Sequence, residues 1–259
     1  IIRLIVSLMN LKIGRLVGMS KKVLIIGDSC TDVFVYGDIN RICPEAPVPV
    51  IKPTHQTENG GMSKNVQKNI QALGYDTHII TNDNDIRKVR YVDNSSNQLV
   101  IRVDEHDYCE RITKKQLTKV MERCYDAIII SDYCKGFLHE EDIKWICEYN
   151  NNVFIDTKKK LGDWILKAKF IKINHLEHLK NFEIIPNYPE FEDKLIVTQG
   201  SKGCIYNGET FPVQEVSVKD VSGAGDTFLS GLVVEYIRTG DIKKAINFAQ
   251  ECTTKVVQK

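Results

Sequence analysis

The stretch from Val218 to Gly231 places carboxylates and small residues directly before an apolar helix pattern. A strand-like run ends at Asp220, and apolar residues recur at helical spacing from Phe228 onward, so residues 223–225 are predicted at a helix N-terminus. Backbone N–H groups there have no intrahelical partner, and small residues let an anion approach them closely. Asp226, in the first turn, is well placed to accept a proton from a hydroxyl that attacks whatever these donors hold.

This stretch also has a purely structural interpretation. Gly-Ala-Gly before a helix serves as a tight turn in many proteins, and a first-turn carboxylate such as Asp226 compensates the helix dipole. The complete pattern Asp-x-x-Gly-Ala-Gly-Asp, however, resembles the second signature of the ribokinase-like sugar kinases, also called carbohydrate kinase family B. The resemblance implies that Gly223, Ala224 and Gly225 form the anion hole for the transferred phosphoryl group and that Asp226 is the general base.

Composition suits one globular α/β domain and gives no sign of a polyanionic partner. The chain has 259 residues, 42% hydrophobic and 27% charged, and 35 basic against 34 acidic residues give a net charge of +1. This balance gives no reason to expect nucleic acid or an anionic membrane as a partner. The eight cysteines include no C-x-x-C pair and are interpreted as buried thiols in a reducing compartment.

The beginning of the chain is predicted to be separate from the domain. Residues 1–18 carry apolar residues interrupted by Arg3, Lys12 and Arg15, without a long apolar run or a convincing cleavage site. We therefore expect a non-native or disordered leader over 1–18 and a single sugar-kinase domain over 19–259, with Met19 as its start.

The first strand of that domain leads to a candidate sugar-binding carboxylate. Residues 21–27 form a continuous apolar run typical of a buried parallel strand, and Asp32 follows Asp28 by four positions. A carboxylate at this edge can bind two sugar hydroxyls or can cap a turn. Short strands are predicted at 33–37 and 48–51, and the prolines between them favour an edge position.

The residues around these strands carry a narrower resemblance. They are similar to the opening of the heptose-7-phosphate kinase domains of bifunctional ADP-heptose synthases, with Gly27, Asp28, Asp32, Tyr36, Gly37, Asp38, Arg41, Ile42, Pro44, Glu45, Ala46, Pro47, Val48, Pro49 and Val50 in the matching positions. The resemblance implies phosphorylation of the anomeric hydroxyl of D-glycero-D-manno-heptose 7-phosphate on the ADP-heptose route to lipopolysaccharide. It makes Asp32 and Arg41 substrate-binding candidates.

A glycine pair before the next helix supplies further sugar-site candidates. Residues 59–65 precede a helix that is predicted to end at Gly74. They resemble the first signature of the same kinases, which implies that Gly60, Gly61 and Asn65 bind the sugar. Lys64 stands where these kinases usually have a small apolar residue, and no role is assigned to it.

A small β lid is expected to form from two segments, about 33–52 and 87–104. The relatives usually place a helix and a strand before the second segment, so the fold is predicted to be abridged by about one βα unit. Arg90 and Arg102 either bind a sugar phosphate through their guanidinium forks or are exposed lid arginines.

Polar residues after three further strands are candidates for both substrates. By resemblance, Asp132 and Lys135 lie near the acceptor, and Lys158 faces the phosphates, although a surface position is the alternative for each lysine. The Asn-x-x-Glu element at Asn174 and Glu177 resembles the one that organises water-coordinated Mg²⁺ in relatives. His175 and His178 lack a third zinc ligand at a recognisable spacing.

The last part of the chain resembles the nucleotide side of these kinases. Thr198, Gly200 and Gly203 stand in a Thr-x-Gly-x-x-Gly segment, which the resemblance assigns to ATP, and residues 245–257 are predicted to form a helix that borders adenine or simply packs in the core. The sequence contains no G-x-x-x-x-G-K-[ST] motif, so a P-loop does not hold the nucleotide.

Together these patterns predict a ribokinase-like doubly wound α/β fold, with a mainly parallel sheet flanked by helices and a small β lid. The implied enzyme is an ATP- and Mg²⁺-dependent carbohydrate kinase. A monovalent cation and a homodimer through the lid are further features of relatives. The alternatives are another ribokinase-like sugar or sugar-phosphate kinase, and a non-catalytic sugar-phosphate-binding module.

Overall fold

The computed structural model describes residues 21–258, so the leader expected over 1–18 lies outside the described residues. The elements of this range are, in chain order, β1 (Lys22–Gly27), β2 (Ser29–Ile42), β3 (Pro49–Met62), α1 (Ser63–Ala72), β4 (Asp76–Ile80), β5 (Ile86–Asp93), β6 (Leu99–Glu105), α2 (Lys114–Met121), β7 (Ala127–Asp132), α3 (Glu140–Tyr149), β8 (Val153–Thr157), β9 (Phe170–Asn174), α4 (His175–Lys180), β10 (Leu195–Thr198), β11 (Cys204–Tyr206), β12 (Glu209–Phe211), α5 (Ala224–Thr239) and α6 (Ile242–Val257). Within this range no helix combines the length and the apolar character needed to cross a membrane.

A mostly parallel sheet of eight strands forms the centre, in the order β12-β11-β10-β9-β8-β7-β1-β4. At one edge, β11 and β12 run antiparallel to their neighbours. Along each central strand the side chains alternate between two cores: Leu24 and Ile26 pack with α2 and α3, whereas Val23 and Ile25 pack with α1, α5 and α6. Helices therefore cover both faces, and the predicted doubly wound α/β fold is confirmed.

A second sheet, in the order β3-β2-β5-β6, stands beside the first and is called the lid below. It has its own small core of Val33, Val35 and Val89. Strands β2 and β3 have 14 residues each and are therefore much longer than the short strands expected at 33–37 and 48–51. The sequence pattern does not predict this length, because the paired residues lack an apolar alternation. Backbone pairing continues from Val33 opposite Glu58 to Ser29 opposite Met62.

Two connections are relevant to the site. Strand β4 passes into the lid through residues 81–85 alone, without a helix or strand between, in agreement with the predicted loss of about one βα unit. The expected strand ending at Asp220 is wrong, since residues 212–220 are irregular. The apolar residues of this segment, Val213, Val216 and Val218, line a cleft.

Candidate active site

The glycine turn lies at the N-terminus of α5, as the sequence predicts. Gly223 is the N-cap residue, with φ 73° and ψ 6°, and the helix runs from Ala224 to Thr239. This left-handed conformation is strained for any residue with a side chain. A Cβ atom at position 223 would also lie 2.7 Å from Nδ2 of Asn65. Glycine is therefore required here by both the backbone and the close approach of α1.

The carboxylate of Asp226 is buried and held from two sides. Its exposed fraction is 6%, its Oδ2 accepts a hydrogen bond from Asn65 Nδ2 at 2.8 Å, and its Oδ1 accepts one from the Tyr133 hydroxyl at 2.7 Å. Burial raises the pKa of Asp226, and the two hydrogen bonds oppose that rise. A carboxylate has about four acceptor positions, so Asp226 can still accept a hydrogen bond from a substrate hydroxyl.

An ion pair lies beneath the glycine turn. Asp156 of β8 and Lys172 of β9 are direct partners across the sheet, and Nζ of Lys172 is 2.7 Å from Oδ2 of Asp156. A Cβ atom at Gly225 would be 2.9 Å from this ammonium group. Burial alone would lower the pKa of Lys172, but the contact with Asp156 outweighs it and the pKa is raised. A lysine that stays charged thus adds positive potential under the turn.

The lid and α1 form the sugar side of the site. A cleft of about 290 Å³ is lined by Asp32, Gly60, Asn65 and Gly223, among others. Arg90 donates to Oδ1 of Asp32 at 2.6 Å, and its guanidinium group lies 5.1 Å from the centre of the Phe34 ring.

Gly61 sets the position of that carboxylate. A Cβ atom at Gly61 would lie 2.2 Å from Oδ2 of Asp32 and 2.6 Å from Sγ of Cys30. Real Cβ atoms do not approach other heavy atoms this closely, so a side chain here would displace Asp32.

A second cleft, of about 560 Å³, meets the first at the same turn. It is lined by Thr198, Gly200, Gly203 and Ala224, together with apolar residues of the 213–221 segment and α6. Gly223 lines the sugar-side cleft and Ala224 lines this one, so the N-terminus of α5 lies between the two clefts. The Ala224 amide donates to the Val221 carbonyl at 3.2 Å. The volume, the apolar walls and the helix N-terminus at one end suit a nucleotide with its phosphates toward α5.

In the Asn-x-x-Glu element, each of the two side chains accepts a hydrogen bond from the other residue's backbone amide. Oδ1 of Asn174 accepts from the Glu177 amide at 2.9 Å, and Oε2 of Glu177 accepts from the Asn174 amide at 2.7 Å, which is a capping box at the start of α4. Lys158 donates to Oε1 of Glu177 at 3.0 Å. Among residues 21–258 no cluster of three acidic, cysteine or histidine side chains is arranged to hold a metal ion. The oxygens suit Mg²⁺ chemically, but as arranged they offer contact through water rather than direct coordination.

The structure leaves four of the predicted substrate ligands away from the junction of the clefts. Asp132 points to the other face of the sheet and pairs with Lys159 at 2.8 Å. Lys135 pairs with Asp107 on the connection after the lid. Arg102 is an exposed residue paired with Asp104. Arg41 lies nine positions beyond Asp32 on β2, about 25–30 Å along the strand, and is exposed.

Three residues around Asp226 were missed by sequence reasoning, namely Tyr133, Asp156 and Lys172. A charged residue in the buried run Phe170-Ile171-Lys172-Ile173 was the available signal for Lys172, because a lysine in a buried strand needs a partner. Nothing in the sequence indicated that Tyr133 and Asp226, 93 positions apart, are in contact.

The fold and the arrangement of two clefts around the α5 turn define a carbohydrate kinase of the ribokinase type. Residues 140–259 match the family model described as pfkB family carbohydrate kinase. Among solved structures, the fold is shared with Arabidopsis thaliana ribokinase complexed with ribose and ATP (15% identity, TM-score 0.67, 93% of this chain and 94% of that one). It is shared also with phosphofructokinase-2 from Escherichia coli in complex with potassium (10% identity, TM-score 0.68, 93% and 94%).

Two similar proteins are named bifunctional protein HldE. The chain is 28% identical over 290 residues to the bifunctional protein HldE of a Nitratiruptor species, covering 93% of this chain and 62% of the relative. It is 26% identical over 282 residues to the bifunctional protein HldE of Campylobacter jejuni (strain RM1221), covering 92% and 61%. The chain thus spans about three fifths of the length of these relatives.

Proposed function

We propose that this sugar kinase transfers the γ-phosphoryl group of ATP to the anomeric hydroxyl of D-glycero-D-manno-heptose 7-phosphate, giving the 1,7-bisphosphate for ADP-heptose biosynthesis. The observation that carries the kinase chemistry is the position of Asp226 in the first turn of α5, whose N-terminus lies between the two clefts. The choice of heptose rests on the resemblance of the 27–50 segment, and the similarity to the HldE proteins supports it.

In this proposal each group at the junction has a separate task. Asp226 accepts the proton of the attacking hydroxyl, and Asn65 holds the carboxylate toward the sugar. The amides of Gly223 and Gly225 stabilise the charge of the transferred phosphoryl group, and the Ala224 amide can join them if its hydrogen bond to the Val221 carbonyl opens. Lys172 beneath Gly225 strengthens the positive potential there. Because these groups are fixed by the core, little reorganisation is needed during the reaction.

On the nucleotide side, Thr198, Gly200 and Gly203 would line the ATP site, and Lys158 would lie near the phosphates. Mg²⁺ would be held through water by Asn174 and Glu177 and would neutralise phosphate charge. We further propose a cytoplasmic protein. A monovalent cation and pairing through the lid remain proposals from the family resemblance.

One observation favours a different sugar as the alternative acceptor. The guanidinium group of Arg90 is already paired with Asp32, and that of Arg102 is paired with Asp104, so neither arginine expected to bind a sugar phosphate is free to do so. A kinase acting on a sugar without a phosphate could keep both pairs. Binding of a sugar phosphate by Arg90 requires its pair with Asp32 to open or to be shared.

The test is the release of ADP by the full chain from ATP and Mg²⁺, with heptose 7-phosphate, ribose, fructose 6-phosphate or no sugar as acceptor. Selective turnover with the heptose, with the new phosphate on the anomeric carbon in ³¹P NMR, supports the proposal. Turnover that prefers another sugar establishes the alternative acceptor. A folded chain that binds heptose 7-phosphate but turns over none of these sugars is a binding module, and the proposal is then wrong.

A further inference from the structure

The Tyr133 hydroxyl contacts Asp226 from outside the glycine turn. Tyr133 lies in the segment after β7, and its main-chain N–H donates to Asp28 at 2.6 Å. Lys135 and Phe137 also donate their main-chain N–H groups to Asp28, each at 3.3 Å. Asp28 is itself buried, with an exposed fraction of 1%. The loop that carries Tyr133 is therefore anchored in the core and is not free to drift.

The tyrosine is held as a hydrogen-bond donor. Burial, together with the neighbouring Asp226 carboxylate, raises the pKa of the Tyr133 hydroxyl well above its ordinary value, so the hydroxyl keeps its proton. That proton is donated to Oδ1 of Asp226, at 2.7 Å. Two ammonium groups lie over the ring: Nζ of Lys88 from the lid, 5.7 Å from the ring centre, and Nζ of Lys158, 4.9 Å from it.

We propose that Tyr133 is a positioning residue for phosphoryl transfer, which fixes the Asp226 carboxylate in place through its hydroxyl and leaves the remaining acceptor positions toward the sugar. The proposal rests on Asp226 acting as the base in the proposed function. Asn65 holds Oδ2 from α1 and Tyr133 holds Oδ1 from the segment after β7, so the carboxylate cannot turn about its Cβ–Cγ bond without breaking a hydrogen bond.

The charged and titratable groups around this contact come from several elements, and all of them bear on its pH dependence. They are Cys30 of β2, Lys88 of β5, Asp156 of β8, Lys158 after β8 and Lys172 of β9. Asp156 works against ionisation of Asp226, and Lys172 favours it. Because those two are paired with each other, the hydrogen bonds from Asn65 and Tyr133 are the main local support of the ionised carboxylate.

The test compares Tyr133→Phe with Tyr206→Phe in the full chain. Tyr206 is a matched control, because it is also buried and its hydroxyl donates to a backbone carbonyl, that of Asp193, at 2.9 Å. The phenylalanine at 133 keeps the ring under Lys88 and Lys158 and removes only the donor. The rate constant kcat/KM is measured from about pH 5 to about pH 9.

Loss of a hydrogen bond to a charged group predicts that the acidic limb of the Tyr133→Phe profile moves up by about one pH unit. We also expect kcat on the plateau to fall several-fold to about tenfold, because the carboxylate is less well oriented. Tyr206→Phe is expected to leave the limb where it is. Tyr133→His, which returns a ring donor, is expected to recover part of the shift.

A second readout separates this proposal from the proposed function. The ¹³C signal of the Asp226 carboxyl, assigned with Asp226→Asn, is titrated in the wild type and in both phenylalanine variants, which requires no turnover. A rise in the pKa of Asp226 that is confined to Tyr133→Phe supports the positioning role even if no sugar is phosphorylated. An Asp226 titration and a kcat/KM profile that both stay unchanged in a folded Tyr133→Phe protein overturn it.

Discussion

The floor of the site and the lid above it are built in opposite ways. At the α5 turn, Asp226, Asp156 and Lys172 are all buried. Asp226 accepts hydrogen bonds from Asn65 and Tyr133, and Lys172 forms an ion pair with Asp156. In the lid, Arg90 and Arg102 are partly to largely exposed, and strand β6 is exposed along its whole length. The pfkB family match covers 140–259, which includes the floor but not the lid. The comparison indicates that the chemistry is built into the core, whereas the choice of sugar depends on less constrained contacts.

The largest effect is expected from breaking the floor. Lys172→Met removes the partner of a buried carboxylate, so we expect the free energy of unfolding to fall by about 3–5 kcal/mol. The matched control is Lys243→Met, because Lys243 pairs with Glu209 at the surface and such pairs contribute about 0–1 kcal/mol. Urea unfolding of both variants measures the difference. Similar small losses in the two would show that the floor is no more constrained than the surface.

The second expected effect lies where the floor meets the lid. Gly61→Ala places a methyl group 2.2 Å from Oδ2 of Asp32, which is too close, so the carboxylate must move. Misplacement of a binding group by about 1 Å costs up to about a hundredfold, and we expect the sugar KM to rise by roughly ten- to a hundredfold. Steady-state kinetics at saturating ATP measure this rise, and an unchanged ATP KM is the internal control. A normal sugar KM in Gly61→Ala would remove Asp32 from the sugar site.

A smaller and more selective effect is expected within the lid itself. Arg90 and Arg102 lie directly opposite each other on β5 and β6, but of the two only Arg90 contacts Asp32. We expect Arg90→Ala to raise the sugar KM by about tenfold and Arg102→Ala by no more than about twofold. The two KM values, measured side by side with the same sugar, decide the point. Equal effects would mean that the contact between Arg90 and Asp32 does not contribute to sugar binding.

The smallest expected effect is a change in the pH dependence of stability. Burial raises the pKa of Asp226, so the folded state binds this proton more tightly than the unfolded state does. The contribution is therefore fully present below the ordinary aspartate pKa and is lost as pH rises through the raised folded pKa. Relative to wild type, Asp226→Asn is expected to lose less stability as the pH rises above the ordinary aspartate pKa of about 4. Thermal unfolding across this range measures it, and parallel curves would contradict the raised pKa.

Much of the core could be predicted from the sequence, because its signals are local. The apolar runs at 21–27 and 126–131 predict buried parallel strands, and the spacing after Asp226 predicts α5. Position Gly223 needs its positive φ within the same short segment that carries the signature. The turn and its helix were therefore located correctly from a few consecutive residues.

What could not be predicted depends on contacts between distant segments. The length of β2 and β3 comes from pairing across polar residues, and the 212–220 segment lines a cleft instead of adding a strand to the sheet. The approach of Tyr133 to Asp226 likewise requires the complete fold. Asp132 shows the limit from the other side, because its place at a strand end suggested an acceptor contact, but the strand's alternation turns it to the face where Lys159 lies.

In the proposed reaction, Asp226 is the base and both substrates bind next to it. The most direct measurement compares wild type with Asp226→Asn for turnover and for binding of ATP and the accepted sugar by calorimetry. We expect kcat to fall by about a thousandfold or more, while both dissociation constants change by less than about threefold. An Asp226→Asn protein that binds both ligands and still turns over at more than about a tenth of the wild-type rate would contradict the account.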